Sequence, residues 1–176
     1  RWEGRGWESL RLGATLAGRT LTLTELSLRQ KENELWAMGQ SKLPEEWRAI
    51  LHAPFTATFE ANLQDAAELV ALGGGEFSEI SGRLTALGEI HGADNKAEGY
   101  CNIEGNGLRI HELPVDWLKA SLLFEGEKTR LCGLEAGSAE DLLWVEGTIQ
   151  NSAPHAYEGK GRLKAANVTK NLIRLG

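Results

Sequence analysis

The chain has 176 residues, of which 41% are hydrophobic, with 21 glycines, 4 prolines and a net charge of −6. Such a composition suits a folded chain of many short strands and tight turns better than disorder or collagen. The negative charge argues against nucleic acid or an anionic membrane surface as a direct partner, because neither attracts a polyanion. No run approaches the roughly eighteen apolar residues of a membrane-spanning helix. The sequence starts at Arg1 without a methionine and both ends cut into repeat units, which reads as a piece excised from a longer protein.

Taken in order, residues 10–28 alternate as strands do. Leu10, Leu12, Ala14 and Leu16 share one parity, then Leu21 and Leu23, and a phase slip before Leu26 and Leu28 calls for a turn or bulge. Leu35, Ala37 and Gly39 form the next apolar row, with Trp36 and Met38 on the other side. Lys42 to Leu51 breaks the alternation, and from Pro44 onward reads as a short helix or structured loop. Phe55, Ala57, Phe59 and Ala61 then share a face.

The spacing predicts a helix over Leu63–Leu72, with Asn62 as N-cap, Asp65 three residues on and Gly73–Gly75 as terminator. An echo of it is expected over Val168–Leu175. Strands resume after Phe77: Ile80, Leu84 and Ile90, then Ala97, Cys101 and Ile103, later Leu118, Leu122 and Phe124, then Leu131, and finally Leu143, Val145 and Ile149. The expectation is about a dozen strands, each with one apolar and one polar face, interrupted by a short helix in each repeat.

The strands fall into a repeat. Displaced by 108 positions, Leu10 lands on Leu118, Leu16 on Phe124, Gly18 on Gly126, Leu23 on Leu131, Trp36 on Trp144 and Gly39 on Gly147. Ala61-Asn62-Leu63 is answered at 105 by Ala166-Asn167-Val168. Residues 1–176 therefore read as one elongated, repeat-built segment with units near 8–115 and 116–176, and repeats imply an array.

Chemistry-bearing motifs are missing. His52, His91, His111 and His155 lie far from one another and from the cysteines, so no local metal motif exists and no cofactor is implied. Neither Gly73-Gly74-Gly75 nor Gly105-Asn106-Gly107 continues into a phosphate-binding loop, so both read as turns, and there is no nucleophile elbow. The strand carboxylates sit mostly on the outward parity, unlike a glycosidase pair flanking a cleft. An enzyme is not expected. Cys101 falls on the apolar parity and Cys132 on the other, outside any CxxC spacing, which leaves a disulfide or two thiols open.

A sheet with one apolar face must hide it against a second sheet, against itself or against a ligand. Two readings follow: a structural or adhesive β-solenoid or sandwich module with a dry core, and a sheet left open as an apolar groove. A hydrolase is a remote third.

The order of these stretches is what resembles a known family. Gly18-Arg19-Thr20-Leu21-Thr22-Leu23-Thr24-Glu25-Leu26, Leu35-Trp36-Ala37-Met38-Gly39, Phe59-Glu60-Ala61-Asn62-Leu63 and Ile80-Ser81-Gly82-Arg83-Leu84 follow one another, then Leu113-Pro114-Val115-Asp116-Trp117-Leu118. Together they are similar to the AsmA/TamB superfamily. That resemblance implies an all-β fold with minor short helices: an elongated, repetitive antiparallel sheet curled into a β-taco or half-pipe around an apolar interior. It implies a bacterial periplasmic location, the full-length protein being anchored in the inner membrane. The implied role is intermembrane phospholipid transport and outer-membrane biogenesis or protein assembly. Phospholipid or another acyl-chain ligand would be cargo, and an Omp85-type outer-membrane barrel a partner of the whole protein. On this reading the lipid-groove face is Leu10, Leu16, Leu23, Leu35, Phe55, Phe59, Ile80, Leu84, Ile90, Ile103, Leu118, Leu122, Phe124, Leu131, Leu143, Val145 and Ile149. Trp36 and Trp144 fall on the opposite parity, where an amphipathic ring finishes a partly wet surface.

Overall fold

The computed structural model describes residues 8–67, 80–94, 96–110, 113–138, 141–151 and 156–164. These form one antiparallel sheet in which sequence order and spatial order coincide: β1 (Ser9–Ala17), β2 (Thr20–Gln30), β3 (Asn33–Lys42), β4 (Phe55–Leu63), β5 (Ile80–Ala93), β6 (Lys96–Ile110), β7 (Leu113–Gly126), β8 (Lys128–Ser138), β9 (Asp141–Gln150) and β10 (Tyr157–Lys164). It is an all-β, open, elongated sheet, curled and not closed into a barrel. Ten strands stand among the described residues where about a dozen were expected. One reason is that β6 runs through Gly105-Asn106-Gly107 instead of ending there.

Tight turns make this meander possible. β1 and β2 are joined by Gly18 and Arg19, with Gly18 at φ +59°, and the same left-handed conformation returns at Gly126 (+67°) between β7 and β8. A side chain there would be strained, so glycine belongs at both places. Across the second turn, Lys96 at the start of β6 pairs with Glu127 at 2.9 Å. Their hydrogen bond and mutual attraction raise the ammonium pKa and lower the carboxyl pKa from their ordinary values.

The repeat is visible in the strands. β8 and β9 have the bounds of β2 and β3 displaced by 108 residues. The irregularities coincide as well: Thr24 and Glu25 of β2 stand against Met38, and Cys132 and Gly133 of β8 stand against Glu146. Each inserts one residue, restores the apolar parity of the following leucines and adds local twist. The phase slip before Leu26 is thus a bulge. After β3 the displacement changes. Gly39 pairs with Ala57 and Gly147 with Gly159, so β10 corresponds to β4 at 102. The cause is the link: residues 43–54, which carry the 3-10 turn Trp47–His52, are replaced by the shorter 151–156. The expected echo at Ala166-Asn167-Val168 lies outside the described residues.

Of the predicted helix, Leu63 is the last residue of β4 and only Ala66 and Ala67 are described as helical; Glu68 to Leu72 lie outside the described residues, as does Val168–Leu175. Asn62 is a strand residue, and the cap is Asp65, whose Oδ1 accepts from the Ala67 N–H at 3.1 Å. What anchors this corner is Asn33. Its side chain, 3% exposed, accepts from the Gln64 and Asp65 N–H groups at 2.8 and 3.2 Å. Asn33→Ala strands both donors and is expected to cost about 2 kcal/mol in a urea titration, since each unsatisfied buried group costs about 1–3 kcal/mol. The tightly buried residues gather here, at one border of the sheet: Leu63, Ala66 and Leu108 are 4%, 2% and 3% exposed.

Candidate functional site: the apolar face

Directly paired residues of an antiparallel sheet point to the same side, so the register decides which side chains share a face. One row runs Leu12, Leu26, Ala37, Phe59, Gly88, Cys101, Leu122, Leu131, Gly147, Gly159. The next runs Leu10, Leu28, Leu35, Ala61, Ala86, Ile103, Ala120, Leu134, Val145, Gly161. Both cross all ten strands without a charged residue. At about 4.8 Å between neighbouring strands, each spans about 43 Å.

The expected residues fall into these rows and their neighbours. Leu23, Ile90, Phe124 and Ile149 line up on one side, with Leu16 and Phe55 beyond them. Leu84, Leu118 and Leu143 line up on the other. Ile80 pairs with Ile110 beyond the irregularity at Gly82. Leu12, Leu26, Leu28, Leu134 and Tyr157 belong to the same face although the expected set omits them. Their alternation was the available signal once the bulges are counted. Trp36, paired with Ser27 and Glu60, and Trp144, paired with Glu135 and Arg162, stand on the polar face.

Between β4 and β5, rings meet glycines. Phe59 lies over Gly88, its ring 2.6 Å from where a Cβ on that glycine would be, and Phe55 lies over Gly92 at 3.1 Å. Rings laid across glycines lie low on the sheet there. Cys101 sits in the middle of the face, where burial pushes its thiol pKa up; Cys132, in the β8 bulge, is exposed, and both are free thiols.

Comparison with protein-family models, curated proteins and solved structures finds no match to this chain.

No second layer covers the face among the described residues. Substantial contact between strands is confined to hydrogen-bonded neighbours, and no large side chain is completely buried. Toward the edges the leucines stand open, with Leu10 and Leu16 both 62% exposed and Ile149 52%. Chemically the face offers hydrocarbon contact and no charge along its central rows. Among the described residues, no three His, Cys, Asp or Glu side chains are grouped to hold a metal ion.

Proposed function

We propose that this chain is a section of a lipid conduit in the bacterial cell envelope, in which the apolar face of the sheet carries the acyl chains of phospholipid or a similar ligand through the periplasm. The observation that carries the reading is the pair of charge-free rows crossing ten strands with no second sheet over them among the described residues. An acyl chain of about sixteen carbons costs about 13 kcal/mol to expose to water, at roughly 0.8 kcal/mol per methylene, so a carrier needs a continuous apolar track. A solenoid or sandwich with a dry core would bury its large side chains, and those of these two rows stand half-buried or open. The order of sequence stretches shared with the AsmA/TamB superfamily supports the same role. It also supports an inner-membrane anchor and an Omp85-type barrel partner for the full-length protein.

Native purification followed by lipid extraction and mass spectrometry tests the proposal. Phospholipid recovered near one or more molecules per chain is the expected result. Repeated lipid-free preparations that keep the β-sheet circular dichroism signature would overturn it.

A further inference from the structure

The polar face of the sheet carries apolar side chains that strand alternation does not explain. Across the interior strands β3 to β7, one row of that face runs Trp36, Glu60, Leu87, Asn102, Ser121, and the next runs Met38, Thr58, Glu89, Tyr100, Leu123. Neither row holds a cation. Met38, Leu87 and Tyr100 are 40%, 52% and 41% exposed, and Trp36 and Leu123 beside them are half-buried. A solvated strand face takes polar residues at such positions, and neighbouring apolar side chains with a polar rim mark an interaction surface.

The charge around this patch selects its occupant. Glu60 and Glu89 lie within the two rows, Glu34 and Glu104 flank them on one side, and Glu98 and Glu125 on the other. Glu98 faces His91 and Glu125 is held by Arg130. Glu60, Glu89 and Glu104 have no cationic partner among the described residues, and Lys119, across from Glu104, makes no ion pair with it. Such a field repels nucleic acid and anionic lipid, and it repels a second copy laid face to face. The strands restrict the partner further. β3 to β7 are hydrogen-bonded on both sides, so they leave no backbone groups for an added strand, and the partner must satisfy its own backbone as a helix does.

We infer that the polar face of β3 to β7 is a docking surface for a basic amphipathic helix from a protein partner. The patch spans about 19 Å, four strand spacings of about 4.8 Å, which a helix covers in about thirteen residues at about 1.5 Å each. Its apolar stripe lies over Met38, Leu87, Tyr100 and Leu123, and Lys or Arg on its flanks meets Glu60, Glu89 and Glu104. Apolar contact gives affinity, and the charges give selectivity and a fast encounter. This surface lies on the opposite face from the proposed lipid track, and the inference does not depend on that track.

The experiment uses the whole chain and three fluorescein-labelled peptides, read by anisotropy: an amphipathic helix of Leu and Lys, a scrambled peptide of the same composition, and the amphipathic helix with Glu in place of Lys. The first is expected to bind, with both controls weaker by about tenfold or more, and with affinity falling as salt rises. Leu87→Ser with Tyr100→Ser should bring it down to the level of the scrambled peptide. Glu60 and Glu89 are both exposed, and the double variant Glu60→Lys, Glu89→Lys should lose the Lys peptide and gain the Glu peptide, a gain that only a folded face can show. Equal binding of the scrambled peptide, undiminished binding by the charge-reversed variant, or failure of all three peptides would overturn the inference. So would dimerisation of the chain that Leu87→Ser abolishes, since it would assign the patch to a second copy.

Discussion

Replacing Leu122 with aspartate is expected to empty the track. Leu122 sits inside the row on β7, opposite Cys101 on one side and Leu131 on the other, three strands in from β10. A carboxylate there meets hydrocarbon from any bound acyl chain, and an unpaired charge in such surroundings costs several kcal/mol. Co-purifying phospholipid, measured by mass spectrometry, should fall at least tenfold. The control is Leu87→Asp. Leu87 is 52% exposed on the polar face, so the same substitution there should leave lipid content and the circular dichroism spectrum unchanged. Equal lipid content in the two variants, both folded, would count against the conduit.

Gly88→Ala is expected to cost more stability than its single methyl group suggests. The new Cβ would fall 2.6 Å from Cζ of Phe59 and closer still to the Tyr100 carbonyl oxygen, and neither the strand nor the packed ring yields freely. Overpacking of this kind costs about 1–3 kcal/mol. Phe59→Leu alone removes ring contacts, but combined with Gly88→Ala it removes one of the two clashes, so the pair should couple. In a urea-melt double-mutant cycle the double variant is expected to be more stable than the sum of the singles by about 0.5–1 kcal/mol. Strict additivity would mean that the ring and the glycine do not share space.

The apolar face was legible in the sequence to a high degree. Leu10, Leu35, Phe59, Ile90, Ile103 and Val145 were placed by period-two alternation alone, because a one-residue slip would move each set to the other face. The slip in alternation before Leu26 announced the bulge at Thr24 and Glu25. Its counterpart at Cys132 and Gly133 carried less signal, since Cys132 and Gly133 obscure the alternation there. The corner after β4 was misread. Asn62 followed by Asp65 has the composition of a helix start, yet Asn62 continues the strand because its backbone pairs with Glu34 and Thr85. The cap then moves to Asp65. Asn33, thirty residues upstream, holds that corner through contacts no local pattern reveals.

By itself the sequence determined the class of structure and which residues share a side, because alternation, turn glycines and the 108-residue repeat are local and periodic properties. Only the tertiary structure decided that ten strands pair in simple chain order, and that no second layer covers the apolar side among the described residues. Pairing and layering depend on which distant backbones meet, and one-sided alternation is the same in a closed sandwich and in an open sheet.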